Sequence, residues 1–167
     1  MLIMKKYSFM STRAQVRFTT REEGVTFSEH PSAIHAQFYV HHDGYPEFLG
    51  VEIAKSILDS TTIDNLEIEH LDTKRGDLEY IYYIWQAPSK TTWISIFKTT
   101  PITDEDDDLN FLQGDECIFV GEPQKLLENV EIPALHTHSY GFHTHNGREL
   151  IEGMQDAYYE EVQFYVE

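Results

Sequence analysis

Four histidines near the carboxyl-terminal end of the sequence have the types and spacing most suggestive of chemistry. They form two His-x-His pairs on either side of Tyr140-Gly141, namely His136, His138, His143 and His145. If that dipeptide is the tip of a β-hairpin, opposed residues and residues two apart share one face, so the four imidazoles cluster. Imidazole nitrogens bind Zn²⁺, Ni²⁺ or Cu²⁺. The pattern predicts a divalent transition-metal site, with an exposed, metal-free histidine hairpin or coil as the alternative.

A second group of chemically capable residues consists of His41, Asp43 and Tyr45, around an Asp-Gly turn that ends a predicted strand. An Asp side chain in such a turn bonds nearby backbone amides, and the following glycine, Gly44, is expected to adopt the left-handed conformation. This chemistry favours a structural turn over a catalytic one. His41, Asp43 and Tyr45 are retained as candidate binding residues.

A third group is a cationic, aromatic surface predicted on the outer face of two neighbouring strands. It comprises Arg13, Arg17, His35, Tyr39 and His41. Guanidinium groups bind carboxylates and phosphates with charge-assisted hydrogen bonds, so this surface is suited to such a ligand or to a protein loop. The alternatives are an ordinary polar outer face, or a face covered by the carboxyl-terminal helix.

Signatures of established catalytic motifs are scarce. Ser11 would be an N-terminal nucleophile if translation began at Met10 and that methionine were removed, but no accompanying base or oxyanion hole is evident. The sequence contains no Gly-rich phosphate loop, no Gly-x-Ser-x-Gly and no His-Glu-x-x-His. It therefore leans away from an enzyme, with a metal-dependent enzyme built on the histidine hairpin as the alternative.

The charge of the chain restricts its partners. It has 167 residues, 29 acidic and 12 basic, for a formal net charge of −17, and residues 1–21 contain five basic side chains and no acidic one. A field this negative repels phosphate backbones, so direct binding to duplex nucleic acid is not expected. The expected partner is a protein with a basic surface.

Cysteine content and hydropathy indicate the compartment. Cys117 is the one cysteine, which excludes an intramolecular disulfide and agrees with a reducing interior. No apolar run approaches the ~18 residues needed to span a bilayer. The expectation is a cytoplasmic protein with no membrane contact, folded as a single domain over 1–167. Within it we expect an N-terminal extension at 1–9, an acidic loop at 103–109 and a His-rich hairpin with a carboxyl-terminal helix at 131–167.

Hydrophobic periodicity predicts an α+β fold: a mainly antiparallel sheet of about five or six strands with helices packed on one face. Alternation predicts two antiparallel strands whose apolar sides point inward and whose polar sides point outward. The predicted strands are 12–20, 33–42, 78–86, 91–99, 117–120 and 162–166, and the predicted helices are 46–58, 63–71, 123–130 and a last one following Asn146-Gly147.

The segment Ser11-Thr12-Arg13-Ala14-Gln15-Val16 and the turn His41-His42-Asp43-Gly44-Tyr45-Pro46 carry a resemblance. Over roughly residues 10–58 the chain resembles a group of small proteins, of unknown function, encoded by bacteriophages and other mobile elements. The resemblance implies an origin in a phage or prophage, a bacterial host cytoplasm, a start at Met10 as an alternative to Met1, and no established enzymatic activity. We therefore expect an accessory protein that binds a host protein, for example as an acidic decoy in counter-defence.

Overall fold

The computed structural model describes residues 12–21, 29–99 and 115–130. Within these ranges the chain forms six strands and two helices. In order they are β1 (Ala14–Thr20), β2 (Ala33–Val40), a π-helical turn (Pro46–Gly50) that runs into α1 (Val51–Asp59), β3 (Glu67–Glu69), β4 (Tyr80–Gln86), β5 (Thr92–Lys98), β6 (Glu116–Gly121) and α2 (Pro123–Val130). The α+β class is confirmed. The acidic loop, the histidine tail and the last predicted helix and strand lie outside the described residues.

The six strands form one mixed sheet in the order β3-β2-β1-β4-β5-β6. Antiparallel pairing joins every neighbouring pair except β1 and β4, which run parallel, with Gln15 opposite Ile81. The predicted antiparallel pairing of the first two strands and the predicted hairpin across 87–90 are confirmed. The predicted sheet is mainly antiparallel, whereas the observed sheet is mixed: at its centre the chain crosses over from β3 and places β4 parallel to β1.

The helices cover one face of the sheet, here called the helix face, which carries Val16 and Tyr82. Tyr82 donates a hydrogen bond of 2.7 Å to the carbonyl of Gly44 at the entrance to α1. A Cβ atom on Gly50 would lie 3.4 Å from Leu126 of α2 and 3.7 Å from the Tyr82 ring, so both helices meet over this tyrosine. The predicted 46–58 and 123–130 helices are confirmed.

The turn before α1 has a different conformation from the one its sequence predicts. Asp43, not Gly44, adopts the left-handed conformation, with φ of 57°. Gly44 is required by close packing, because a Cβ there would lie 2.8 Å from the Cβ of Ala14 and 3.0 Å from the carbonyl oxygen of Thr12. The Gly44 amide donates to that carbonyl at 3.0 Å. The turn therefore packs directly against the start of β1.

The opposite side of the sheet is also buried. We call it the network face, because its polar side chains form a hydrogen-bond network. Gln15, Gln37 and Ser95 lie on it with at most 2% of their surface exposed. The polar side of β1 and β2, predicted to point outward, is therefore exposed only in part: Gln37 and Tyr39 are buried, whereas His35 is exposed. The predicted short helix at 63–71 is wrong, because this segment contains β3 and then turns back at His70–Thr73. Among the described residues, no helix is long and apolar enough to cross a membrane.

Candidate functional site

Arg17 lies at the centre of a buried hydrogen-bond network on the network face. One guanidinium nitrogen, Nη1, donates to the hydroxyl of Tyr83 at 2.7 Å, and the other, Nη2, donates to Oε1 of Gln15 at 2.7 Å. β1 places Arg17 beside Tyr83 in the parallel register, and Gln15 two residues earlier shares its face. Because a guanidinium has only donors, Arg17 starts two hydrogen-bonded arms that run in opposite directions.

The first arm runs from Tyr83 through His30 to Asp115. The Nδ1 atom of His30 lies 2.6 Å from the Tyr83 hydroxyl, and its Nε2 atom lies 2.9 Å from Oδ2 of Asp115. A carboxylate only accepts, so Nε2 carries the proton, and in the neutral ring Nδ1 is then an acceptor for the Tyr83 O–H. In that tautomer the hydrogen bonds run in one direction, from Arg17 to Tyr83, to His30 and to Asp115.

Aromatic contacts hold the His30 ring in this position. It stacks on Phe97 at 4.1 Å between centroids and meets the Tyr83 ring edge-on at 5.6 Å. Ser95 lies opposite Tyr83 on β5, two residues before Phe97. We infer that this small side chain leaves the space above the sheet that the imidazole fills.

The second arm runs from Gln15 to Glu69 at the edge of the sheet. Gln15 Nε2 donates to Oε1 of Glu69 at 2.9 Å, and Gln37 Nε2 donates to the same oxygen at 3.2 Å. Arg75 closes the arm with contacts of 2.6 Å from both Nε and Nη2 to Oε2 of Glu69. Each arm therefore ends on a carboxylate. Most polar atoms of the arms are paired, as burial requires, but Nε of Arg17 and Oε1 of Gln37 are buried without a hydrogen-bond partner among the described residues.

The structure brings together only part of the residues predicted to form one cationic surface. Arg17 belongs to the network, while Arg13 forms an ion pair with Asp77 at 3.2 Å. The Tyr39 ring lies under the Arg75 guanidinium at 3.5 Å, and its hydroxyl is 2.8 Å from Nδ1 of His41. Tyr39 also has a side-chain hydrogen bond with Arg13. The structure thus brings Arg13, Tyr39 and His41 together and places Arg17 in the network.

His35 is separated from these residues by a β-bulge. Phe18 pairs with Ala36 and Thr19 pairs with Ile34, so His35 is the extra residue of β2. Its Nε2 atom lies 2.6 Å from the hydroxyl of Thr20, and the side chain is exposed. A bulge re-aims a side chain, which places His35 beside the Phe18 end of β1 and away from Arg17.

The turn residues also differ in exposure. Asp43 is exposed, whereas Tyr45 is half-buried and packs against Phe48 with ring centroids 5.9 Å apart. Burial raises the pKa of Tyr45 above its ordinary value, and a hydrogen bond with Thr12 partly opposes this. These properties suit a packed turn. The four candidate metal ligands His136, His138, His143 and His145 lie outside the described residues, and the described part of the chain contains no group of three or more metal-binding side chains.

Burial limits what chemistry the network can perform. Tyr83 has no exposed surface, and burial raises its pKa despite the opposing charge of Arg17. Burial also raises the pKa of the Cys117 thiol to about 12, so this cysteine is protonated at neutral pH and a poor nucleophile. Both nitrogens of His30 are engaged. The buried hydroxyl of Tyr83 is therefore not accessible to a substrate. We conclude that the network holds the segment 29–31 and the start of β6 against the sheet.

A second candidate site is an exposed apolar surface on the helix face, at the β3 end of the sheet. We call it the apolar edge. It consists of Phe18, Phe38, Ile68 and Leu71, of which Ile68 is 84% exposed, Leu71 44% and Phe18 41%. The rings of Phe18 and Phe38 meet edge-on at 5.8 Å. A shallow groove of about 430 Å³ runs between β2 and the segment 68–72 beside them.

Sequence reasoning missed His30, Asp115 and the Glu69–Arg75 pair. No motif marks His30 or Asp115, which are 85 residues apart in the chain. One usable signal was present, because Tyr80–Gln86 is apolar up to its last residue and Thr92–Lys98 has consecutive apolar residues on both of its sides. Such runs are typical of strands buried on both faces, which implies that the polar side of the neighbouring β1 is covered too.

Comparison with known proteins adds no family to this geometry. No protein-family model, curated protein or solved structure matches the chain. The resemblance to phage proteins over residues 10–58 therefore stays a prediction, and the function has to be argued from the surface itself.

Proposed function

We propose that the protein is a binding protein, not an enzyme, and that it contacts a partner protein through the apolar edge. The observation that carries this proposal is the exposure of Ile68 beside two phenylalanine rings, whereas most other large apolar side chains in the described ranges are buried. Contiguous exposed apolar side chains bordered by polar residues are typical of protein-binding sites.

The charge around the apolar edge supports a basic partner. The segment 59–77, which carries Ile68 and Leu71, contains six acidic residues and two basic ones. Two of the acidic residues pair with arginines of the same chain: Glu69 with Arg75, and Asp77 with Arg13, which precedes β1. Glu67 and Asp72 remain exposed beside the apolar side chains. Complementary charge steers association and selects the partner.

The resemblance of residues 10–58 to phage proteins supports a host protein as the partner and the bacterial cytoplasm as the place of contact. One concrete form is an acidic decoy that occupies the nucleic-acid-binding surface of a host protein. In this form the chain itself does not bind duplex DNA, since its net charge of −17 repels the phosphate backbone.

Site-specific photo-crosslinking in bacterial cells tests this proposal. A photoreactive amino acid at position 68 is expected to yield one reproducible crosslinked protein, identified by mass spectrometry, with a basic surface. The matched control is position 48, because Phe48 is 57% exposed but lies at the α1 entrance. Crosslinks of equal yield and identity from both positions, or none from position 68, would contradict the proposal.

Metal binding at the histidine hairpin stays a second prediction, carried by the two His-x-His pairs. Zn²⁺ or Ni²⁺ would bind neutral imidazoles, so affinity is expected to fall as pH drops through the ordinary histidine pKa of about 6.5. Calorimetry at pH 7.5 and 5.5 on the wild type and on a His138→Ala/His143→Ala variant tests it. No heat of binding at pH 7.5, or equal binding by the variant, would remove this candidate.

A further inference from the structure

The edge strand β3 is much shorter than the strand it covers. β3 has three residues, whereas β2 has eight, and their pairing is limited to Gln37, Phe38 and Tyr39 of β2. The chain leaves the sheet after Glu69 through the turn in which the Thr73 amide donates to His70. In the part of the chain that the structure describes, no strand pairs with the outer side of Ala33–Ala36.

This unpaired stretch of β2 forms one wall of the groove beside the apolar edge. His35 and Ala36 line the groove from β2, and Ile68 and Leu71 line it from the opposite side. Every second residue of a strand directs its N–H and C=O toward one neighbour. The groove therefore offers backbone hydrogen-bonding groups along one wall and apolar side chains along the other.

We propose that the partner inserts an extended peptide segment into this groove and adds a strand to β2 along Ala33–Ala36. This inference rests on the proposed binding function and names how the partner is recognised. Strand addition uses backbone hydrogen bonds for affinity and side-chain pockets for specificity. The segment carries an apolar side chain that packs on Phe38 and Ile68.

Charge specifies the residues that flank this apolar side chain. Asp72, whose side chain is 91% exposed, lines the groove, and Glu67 on β3 is exposed directly before Ile68. Lysine or arginine residues on either side of the apolar residue would face them. A second copy of this chain is disfavoured as the occupant, because two segments with six acidic and two basic residues each would repel.

A short synthetic peptide tests the mode of binding directly. The probe is a fluorescein-labelled Lys-Val-Lys-Phe-Lys-Val-Lys peptide, measured by fluorescence anisotropy against the full chain. Its counterpart, methylated on alternate backbone nitrogens, keeps the side chains but lacks the donors, so we expect about tenfold weaker binding. The acidic Glu-Val-Glu-Phe-Glu-Val-Glu peptide is expected not to bind.

Two variants of the protein control for non-specific attraction. Ile68→Asp is expected to weaken binding at least about tenfold, because it removes apolar contact area from the groove. Phe48→Asp, with the same change of charge at an exposed apolar residue elsewhere, is expected to leave binding nearly unchanged. In hydrogen-exchange experiments, bound peptide is expected to slow exchange of amides within Ala33–Ala36.

The outcomes separate this inference from the function on which it rests. Equal binding of the methylated and unmethylated peptides, or unchanged exchange at Ala33–Ala36, would overturn strand addition, and a specific crosslink from position 68 would still support a partner protein. Preference for the acidic peptide would overturn the charge assignment. Sedimentation showing a dimer that Ile68→Asp dissociates would replace the peptide by a second copy of the chain.

Discussion

Two consecutive tyrosines on β4 show how differently the two faces of this sheet are built. Tyr82 and Tyr83 are both fully buried, but the strand directs them to opposite faces. The Tyr82 hydroxyl donates one hydrogen bond, to the Gly44 carbonyl, among apolar side chains and helices. The Tyr83 hydroxyl accepts from Arg17 and lies 2.6 Å from Nδ1 of His30, so it joins the Arg17 guanidinium to the His30–Asp115 pair. The Tyr82 hydroxyl has one hydrogen-bond partner, whereas the Tyr83 hydroxyl lies between two.

This difference has an energetic consequence. Removing a hydroxyl that satisfies one carbonyl leaves one polar group without a partner. Removing a hydroxyl within a chain of hydrogen bonds leaves a charged donor and an acceptor unpaired, and hydrogen bonds to charged groups contribute more than neutral ones. The helix face should therefore tolerate polar deletions better than the network face, while being less tolerant of added volume.

The largest expected effect is that of Tyr83→Phe. This change leaves Nη1 of Arg17 and Nδ1 of His30 without their shared partner, and we expect the free energy of unfolding to fall by about 3 kcal/mol. Tyr82→Phe leaves only the Gly44 carbonyl and should lower it by about 1 kcal/mol. Urea unfolding of both variants measures the difference. Equal losses in free energy of unfolding would show that the Tyr83 hydroxyl contributes no more to stability than the single hydrogen bond of Tyr82.

The next effect tests the helix face for its intolerance of volume. Gly44→Ala adds a methyl group 2.8 Å from the Ala14 Cβ atom, so the turn or β1 must shift. We expect a loss of about 2 kcal/mol, within the range for overpacked sites. Gly76→Ala is the matched control, because a Cβ at Gly76 has no atom within 4 Å. If both glycine variants unfold at the same urea concentration, the close approach at Gly44 is not required for stability.

A double-mutant cycle measures coupling within the network. We expect Arg17→Met and Tyr83→Phe to be non-additive by about 1 kcal/mol, since each removes the partner of the other. The same arginine variant combined with Tyr82→Phe should be additive within about 0.5 kcal/mol, because the side chains point to opposite faces and share no partner. Coupling of similar size in both cycles would mean that the two faces do not act separately.

The smallest expected effect concerns alkaline stability. Burial raises the pKa of Tyr82 and Tyr83 above 10.0 in the folded chain, most strongly for Tyr82. In the unfolded chain these groups titrate near pH 10. The unfolded chain therefore loses protons first, so the stability is complete below pH 10 and falls as pH rises above it.

Replacing Tyr82 removes one of these titrating groups. Between pH 8 and pH 10.5 the wild type should lose about 0.8 kcal/mol more than Tyr82→Phe does. Urea unfolding at the two pH values gives both differences. A steeper alkaline loss in Tyr82→Phe than in the wild type would mean that the hydroxyl is not buried as a neutral group.

Much of the architecture could be predicted because local pattern and final environment agree. The alternation in β1 and β2, the turn residues between β4 and β5, and Pro46 and Pro123 at helix starts are local signals that tertiary packing leaves unchanged. The segment 63–71 misled because its apolar residues follow a spacing compatible with a helix, while pairing of Ile68 with Phe38 decides its conformation. Pairing between distant segments is not encoded in local periodicity.

The candidate sites were less predictable for the same reason. Arg17 was recognised as a cation, but its partners come from β4 and from the Gln15 side chain, and the ends of its two arms come from segments far apart in sequence. The bulge at His35 likewise arises from the β1–β2 register, and alternation alone assigns this residue to the wrong surroundings. The apolar edge could not be found because a pattern does not reveal which apolar residues remain uncovered.

The parallel pairing of β1 with β4 has a consequence for the order in which the chain can fold. β1 is made early, yet one of its two neighbours is Tyr80–Gln86, synthesised after β2, α1 and β3. Until the chain has been synthesised past Ile84, β4 cannot pair with β1, and one edge of β1 lacks its hydrogen-bonding partner. Closing a loop of this length is slow relative to hairpin formation. The central pairing of the sheet therefore cannot form until β4 has been synthesised.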